Sequence, residues 1–146
     1  MDVSQMTGLE LMQALMRGEL KAAAISGPMR FDLVEAEHGS CAFEGEPDAS
    51  LLNPLGTVHG GWALTLIDSA AGCAAHTTLP AGVGYTTVET HANFPRPIQP
   101  DTGTLRCEGR VLNAGRTLIT AEAVLKDSQG RIVAHGGSTL MVLQPR

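Results

Sequence analysis

One carboxylate stands alone in a forty-residue stretch that has no other formal charge. Between Asp48 and Glu89 the only charged side chain, with histidine counted as neutral, is Asp68. Around it, residues 61–79 are apolar or small on nearly every helical face, and Pro80 follows. A helix that is apolar nearly all round is usually buried in a protein core. The sequence therefore predicts a buried helix over 61–79 that carries one acidic side chain.

An ionised carboxylate in such a helix is unfavourable by several kcal/mol unless it is paired, hydrogen-bonded or protonated. Two interpretations of Asp68 are open at this point. It is either a structural acid held by threonine or backbone donors, or a nucleophile or general base whose basicity is tuned by the low polarity around it. The helix sequence alone does not decide between them.

The composition limits the classes of protein to which the chain can belong. The 146 residues are 43% hydrophobic and 17% charged, which suits a single domain over 1–146. A net charge of −5 and an aromatic content of 3% argue against a nucleic-acid partner. The three widely spaced cysteines, the absence of a basic and apolar leader and the lack of a long apolar run predict a cytoplasmic protein without membrane contact. Residues 51–146 carry a net charge of +1, so this part could meet an anionic ligand.

The chain begins with a helical segment. Thr7 and Glu10 match a capping box, and apolar residues at helical spacing follow, so a short helix is expected to end near Gly18. Residues 1–28 are therefore predicted to be an N-terminal helical extension, and residues 29–146 the core.

The chain after Gly84 has the two-residue period of β-strands. Its last two runs, 116–126 and 132–143, are joined by a short turn and predict a hairpin. Short links between such runs favour an antiparallel sheet. The predicted fold class is α+β, with five to six antiparallel strands and one long buried helix.

Glycines directly precede the predicted helix. At a helix N-terminus they let a ligand approach free backbone N–H groups, where the helix dipole favours an oxyanion or a polarised carbonyl. A Gly-Gly turn that simply begins a helix is the alternative.

Gly60 and Asp68 are eight residues apart, which is ~12 Å along a helix. A reacting carbonyl must lie roughly 3 Å from both the oxyanion donor and the attacking group, so both can act only if a two-fold dimer supplies one of them.

Five segments in this order resemble the hotdog-fold acyl-CoA thioesterases, in particular the phenylacetate-pathway (PaaI-type) and 4-hydroxybenzoyl-CoA thioesterases. They are Asn53–Gly61, Asp68, Thr86–Val88, Asn113–Thr117 and Gly130–Leu143. The resemblance implies a hotdog fold, in which the sheet wraps around the long helix. It also implies hydrolysis of an acyl-CoA thioester to a free carboxylic acid and CoA.

The resemblance also implies a role for each matching residue of the reacting centre. The Gly60 amide would polarise the thioester carbonyl, with His59 supporting its loop and Asn53 placing the carbonyl or the water. Asp68 of the partner subunit would act as nucleophile or general base, and Thr87 would orient the water.

Further matching residues would bind the rest of the substrate. Phe94 would line the substrate channel, and Arg116 would contact a phosphate of CoA. The other residues expected near the nucleotide and the pantetheine arm are Asn113, Gly115, Thr117 and Ser138. The family uses no cofactor beyond the CoA of its substrate, and the histidines show no metal-ligand spacing. The expected assembly is a homodimer at minimum and a homotetramer, as a dimer of dimers, by family resemblance.

Two other functions are considered. The first is an enoyl-CoA hydratase or dehydratase of the same fold, which is disfavoured because Asn93 stands before Phe94 where those enzymes have a catalytic histidine. The second is a non-catalytic acyl-CoA-binding protein. Such a module is expected to carry a further partner domain, for which this chain has little room.

Overall fold

Six strands form one antiparallel sheet in the computed structural model, which describes residues 2–145. The strands are β1 (Phe31–Glu37), β2 (Ser40–Gly45), β3 (Gly84–Asn93), β4 (Leu105–Ala114), β5 (Leu118–Lys126) and β6 (Ile132–Leu143). Their order across the sheet is β1-β2-β4-β5-β6-β3, and every neighbouring pair is antiparallel. The predicted hairpin is β5–β6, although β5 begins at Leu118 rather than at residue 116.

The helices are α1 (Gly8–Met16), α2 (Ser26–Met29) and α3 (Gly60–His76), with short 3-10 turns at Val3–Gln5 and Ala49–Leu51. The long helix α3 packs across β2, β4, β5 and β6. One face of it, which includes Trp62, Leu66 and Ala70, is buried against the sheet. The predicted α+β fold, with six strands and one long helix, is confirmed.

The helix α3 begins one residue earlier and ends three residues earlier than the predicted range 61–79. The hydroxyls of Thr77 and Thr78 donate to the carbonyls of Ala74 and Ala75, at 2.6 and 2.7 Å. The backbone N–H groups of Thr78 and Leu79 donate three residues back, to Ala75 and His76, instead of four, so α3 ends at His76. Asp68 is half-buried, because only the face of α3 toward the sheet is fully enclosed.

The N-terminal helix packs beside the sheet. Its capping box is present as predicted, with the Thr7 hydroxyl accepting from the Glu10 N–H at 3.2 Å. The amide of Gln13 donates to the Ala36 carbonyl of β1 at 3.3 Å, and the Gly8 N–H donates to the carbonyl of Leu79 beyond α3. These contacts attach α1 both to the sheet and to the end of the long helix.

Strand β3 lies at one edge of the sheet. It pairs with β6 along one side, and its other side has no partner strand within residues 2–145. The register shifts between Thr87 and Glu89, so Val88 is an extra residue in a β-bulge. Among the helices described, none is both long and apolar enough to cross a membrane.

Candidate active site

Asp68 lies in the middle of α3, and one of its oxygens is held by hydroxyls of β3. The hydroxyls of Thr87 and Thr90 donate to Asp68 Oδ1 at 2.9 and 3.1 Å. The other oxygen, Oδ2, has no hydrogen-bond donor within residues 2–145. One oxygen is therefore fixed by two donors, and the other keeps its lone pairs for a reacting group.

Thr90 also contacts Ser138 of β6, with 2.9 Å between the two hydroxyl oxygens. A threonine hydroxyl has one hydrogen, and Thr90 gives its own to Asp68, so Ser138 is the donor to Thr90. Ser138 is 3% exposed. The structure therefore places it behind Asp68, in a chain of hydroxyls that ends at the carboxylate.

Thr90 was missed by the sequence analysis, and the bulge in β3 explains why. Two residues three apart on a regular strand point to opposite faces. The extra residue Val88 changes this alternation, so Thr87 and Thr90 both face α3. The sequence around Val88 contains no glycine or proline that would have signalled the irregularity.

The beginning of α3 presents a free backbone amide. His59 is the N-cap, and its Nδ1 accepts from the Gly61 N–H at 2.8 Å. The Gly60 N–H has no acceptor within the described part of the chain. A methyl group added at Gly60 would stand 3.6 Å from the half-exposed ring of Phe94. His59, Gly60 and Phe94 thus form a second group of predicted site residues around an unpaired donor.

Asn53 organises the loop that leads to this group. Its Oδ1 accepts from the N–H groups of Leu55 and Thr57, at 2.9 and 3.2 Å, and its Nδ2 donates to the Thr57 hydroxyl at 2.8 Å. The side chain is therefore occupied within its own loop. Its predicted contact with a carbonyl or a water stays a prediction.

Of the predicted CoA-binding residues, Gly115, Arg116 and Thr117 form the turn between β4 and β5, and Asn113 lies near the end of β4. With Thr78–Pro80, beyond the end of α3, this turn encloses a cavity of about 240 Å³. The Arg116 side chain is exposed and has no acidic partner within residues 2–145. A methyl group on Gly115 would stand 2.4 Å from the Leu118 carbonyl oxygen, so this turn requires glycine.

The predicted residues thus form three groups along one helix: Gly60 at its beginning, Asp68 at its middle and the Arg116 turn near its end. The structure joins Asp68 with Thr87 and Ser138, and Gly60 with His59 and Phe94. It does not join the three groups to one another, because Gly60 and Asp68 stay ~12 Å apart on the continuous α3.

A cavity of about 570 Å³ adjoins Asp68, and sequence reasoning did not find it. Cys73 and Tyr85 line it beside the carboxylate. Burial raises the pKa of the Cys73 thiol to about 12 and also raises the pKa of the Tyr85 hydroxyl, so both are neutral at pH 7. The two ionisable side chains beside Asp68 on this side are therefore uncharged.

The family model of the thioesterase superfamily matches residues 55–134, which span α3, the strands β3, β4 and β5, and the beginning of β6. The chain belongs to the thioesterase superfamily. The match includes Gly60, Asp68 and the Arg116 turn, and it identifies the fold as the predicted hotdog fold.

The chain is also similar to individual proteins with related names or ligands. A Saccharolobus solfataricus protein named as a candidate esterase is 33% identical over 91 residues, 62% of this chain and 63% of that protein. This thioesterase-superfamily chain thus matches less than two thirds of that relative's length. A Ralstonia eutropha structure, named as a candidate thioesterase related to phenylacetic acid degradation, is 26% identical, with a TM-score of 0.81 over 89% of this chain and 98% of that one. A Streptococcus mutans structure bound to acetyl-CoA is 26% identical, with a TM-score of 0.73 over 88% and 96%.

Proposed function

We propose that the protein hydrolyses an acyl-CoA thioester to a free carboxylic acid and CoA. The proposal rests on the hydrogen bonding of the Asp68 carboxylate. Its Oδ1 accepts from two hydroxyls, and its Oδ2 has no donor within residues 2–145 and lies beside a largely apolar cavity. Membership of the thioesterase superfamily and the acetyl-CoA bound by the Streptococcus mutans relative support the same chemistry.

The carbonyl is activated at the beginning of α3. Its oxygen accepts from the free Gly60 N–H, where the helix dipole stabilises the negative charge that develops in the tetrahedral intermediate. The N-cap bond from Gly61 to His59 and the hydrogen bonds of Asn53 fix the loop that aims this donor. The Phe94 ring flanks the same spot.

Asp68 supplies the attacking group by one of two routes. As a general base, Oδ2 takes a proton from water while the water oxygen adds to the carbonyl carbon; the C–S bond then breaks and CoA leaves with that proton. As a nucleophile, Oδ2 itself adds to the carbonyl carbon and expels the CoA thiolate, and water then hydrolyses the mixed anhydride. Thr87 fixes Oδ1 and orients the water in either route.

The working site spans two subunits. Since ~12 Å separates Gly60 from Asp68 in one chain, we place Asp68 of the partner subunit opposite Gly60. The unpaired edge of β3 and the half-exposed Val88 and Phe94 support this edge as the contact surface. An antiparallel dimer also brings the partner's Arg116 turn toward the Gly60 end, where the exposed guanidinium meets a CoA phosphate. The same proposal includes a dimer of dimers, a cytoplasmic location and a reaction that requires no metal or redox cofactor.

Two substitutions test the proposed roles in a thiol-release assay with acyl-CoA substrates. Asp68→Asn removes the base and is expected to lower kcat by at least about a hundredfold. Gly60→Pro removes the N–H and puts a ring carbon in its place. The fold should tolerate the change, since Gly60 is the first residue of α3 and the backbone of His59 (φ −59°, ψ 134°) suits a following proline. Loss of this donor is expected to lower kcat by about 10²–10³-fold.

Gly60→Ala is the matched control, because it keeps the N–H and adds a methyl group at ordinary contact distance from Phe94. It is expected to lose far less activity than Gly60→Pro. Full activity in Asp68→Asn would contradict the proposed mechanism. Water addition to an enoyl-CoA without thiol release would favour a hydratase, and tight acyl-CoA binding without any hydrolysis would favour a binding protein.

A further inference from the structure

The cavity beside Asp68 has a roof made from the N-terminal part of the chain. Met12, Leu15 and Met16 of α1 line it, followed by Leu20 and Ile25 of the connection to α2. Its floor includes Phe31 and Phe43, whose rings pack edge to face at 5.6 Å. This space, the Asp68 cavity, is therefore lined mainly by aliphatic, thioether and aromatic side chains. Asp68 lies in its wall.

The charges around the Asp68 cavity exclude one class of ligand. Asp32 and Asp68 are the only charged residues in its lining, and neither Lys nor Arg from the described residues contributes to it. An acyl group that ends in a carboxylate would meet like charge and no cation. A neutral apolar acyl group meets favourable surroundings instead. A volume of about 570 Å³ is within the roughly 300–1,000 Å³ of pockets that enclose drug-sized ligands, so an acetyl group would leave most of it empty.

The roof is attached at its two ends. The segment over 17–25, here called the strap, lies between α1, which is bonded to β1 through Gln13, and Met29, whose carbonyl accepts from the Trp62 indole N–H at 2.6 Å. Within the described chain the strap makes no hydrogen bond to the sheet; its bonds are local, such as the ion pair of Arg17 with Glu19. The strap is thus positioned by its anchors and by its apolar side chains.

We propose that the strap is the specificity element of the enzyme and that the Asp68 cavity receives a neutral aliphatic acyl chain several methylenes longer than acetyl. This inference rests on the proposed thioester hydrolysis, because the acyl group enters the cavity from a carbonyl held at Asp68. Leu20 and Ile25 contact the chain from above, while Phe31 and Phe43 contact it from below. Flexible side chains in the roof adapt to the path of an unbranched chain.

The test compares acetyl-, octanoyl-, benzoyl- and succinyl-CoA as substrates of the full-length protein. The wild type is expected to prefer octanoyl-CoA and to hydrolyse succinyl-CoA least. Leu20→Trp fills the cavity from the roof and is expected to lower kcat/KM for octanoyl-CoA by roughly tenfold to a hundredfold, the range set by hydrophobic pocket contacts. Its kcat/KM for acetyl-CoA should fall far less, because an acetyl group is too short to reach Leu20, so the octanoyl-to-acetyl ratio should drop.

Lys21→Trp is the matched control, because Lys21 is the exposed neighbour of Leu20 and does not line the cavity. It should leave kcat/KM for octanoyl-CoA and for acetyl-CoA at the wild-type values. Ile25→Trp gives a second test. Ile25 is half-exposed at the far end of the strap, so this substitution is not expected to unfold the protein. Unfolding midpoints measured in urea identify any variant that fails to fold.

The outcomes separate this inference from the proposed function. If the wild type releases no thiol from any of the four substrates, the proposed function fails. If the wild type is active but Leu20→Trp and Ile25→Trp both fold and leave the octanoyl-to-acetyl preference unchanged, only the role of the strap fails. A preference for benzoyl-CoA or succinyl-CoA over octanoyl-CoA would overturn the assigned acyl class.

Discussion

The two carboxylate oxygens of Asp68 have different surroundings. Oδ1 accepts from Thr87 and Thr90, while Oδ2 has no donor within residues 2–145. Hydrogen bonds to a charged group hold its geometry more strongly than bonds between neutral groups. Thr90, supported by Ser138, is therefore a positioning residue for the free oxygen.

Replacing Thr90 tests this role. Thr90→Val keeps the shape of the side chain and removes its hydroxyl, so Asp68 loses one of its two donors. We expect kcat to fall by about tenfold, since a hydrogen bond to a charged group contributes about 1.5–3 kcal/mol. KM should change less than about twofold, because Thr90 does not line the Asp68 cavity. Steady-state kinetics on one acyl-CoA measures both values.

Thr90→Ser is the control, since it restores the hydroxyl without the methyl group. Recovery of kcat to near the wild-type value would show that the hydroxyl, and not the packing, is responsible. Equal activity in Thr90→Val and the wild type would refute the positioning role.

Local sequence identified the acid and one of its partners, but not the whole site. Asp68 could be found because a lone charge in an apolar helix is rare, and Thr87 because Thr86–Val88 is one of the segments that resemble the thioesterase family. Thr90 could not, since a bulge has no marker in this strand. The Asp68 cavity could not either, because residues 12–26 meet Phe43 and Tyr85 only through tertiary packing.

At the scale of elements, α3 and β4 approach so closely that only glycine fits between them. Gly109 of β4 is buried, and a methyl group there would stand 2.2 Å from the Ala70 carbonyl oxygen of α3. The alanine-rich face of α3 permits this approach. The small residues that made the helix predictable from sequence thus also set its distance from the sheet.

Gly109→Ala is expected to force α3 and β4 apart and to destabilise the fold by about 1–3 kcal/mol or more, as overpacked cores do. Urea unfolding followed by circular dichroism measures the change. Gly27→Ala serves as the control, because an added methyl group at Gly27 meets no atom within 4 Å and glycine is a poor helix former. It should leave stability unchanged or slightly increased. An equal midpoint for the two variants would contradict the close-approach argument.

At the scale of the whole molecule, one chain holds the parts of a site without assembling them. The free amide of Gly60 and the carboxylate of Asp68 lie on the same continuous helix, ~12 Å apart. The spacing of the two residues in the sequence was sufficient to predict this separation. The proposed partner surface was less predictable, because the sheet order that leaves β3 at an edge follows from tertiary pairing.

A mixing experiment tests whether each site draws on two subunits. Asp68→Asn and Gly60→Pro are each expected to be inactive alone. If the sites are shared, a mixed dimer contains one site with both functional groups, so random co-assembly should restore about a quarter of wild-type activity. Thiol release after co-expression or joint refolding measures the recovery. No recovery, with mixed dimers verified by mass spectrometry, would assign both groups to the same chain.

The way the strap is attached has a consequence for how this protein can change in sequence. Within the strap, the residues that line the Asp68 cavity (Leu20, Ala22, Ala23 and Ile25) form no hydrogen bond to the sheet within the described chain. Substitutions there alter the pocket while the folding free energy, which depends on α3 and the six strands, is largely preserved. With the proposed roles of the strap and of Asp68, selection can act on substrate choice in one short surface segment and on the reaction in the helix beneath it, with little interference between the two.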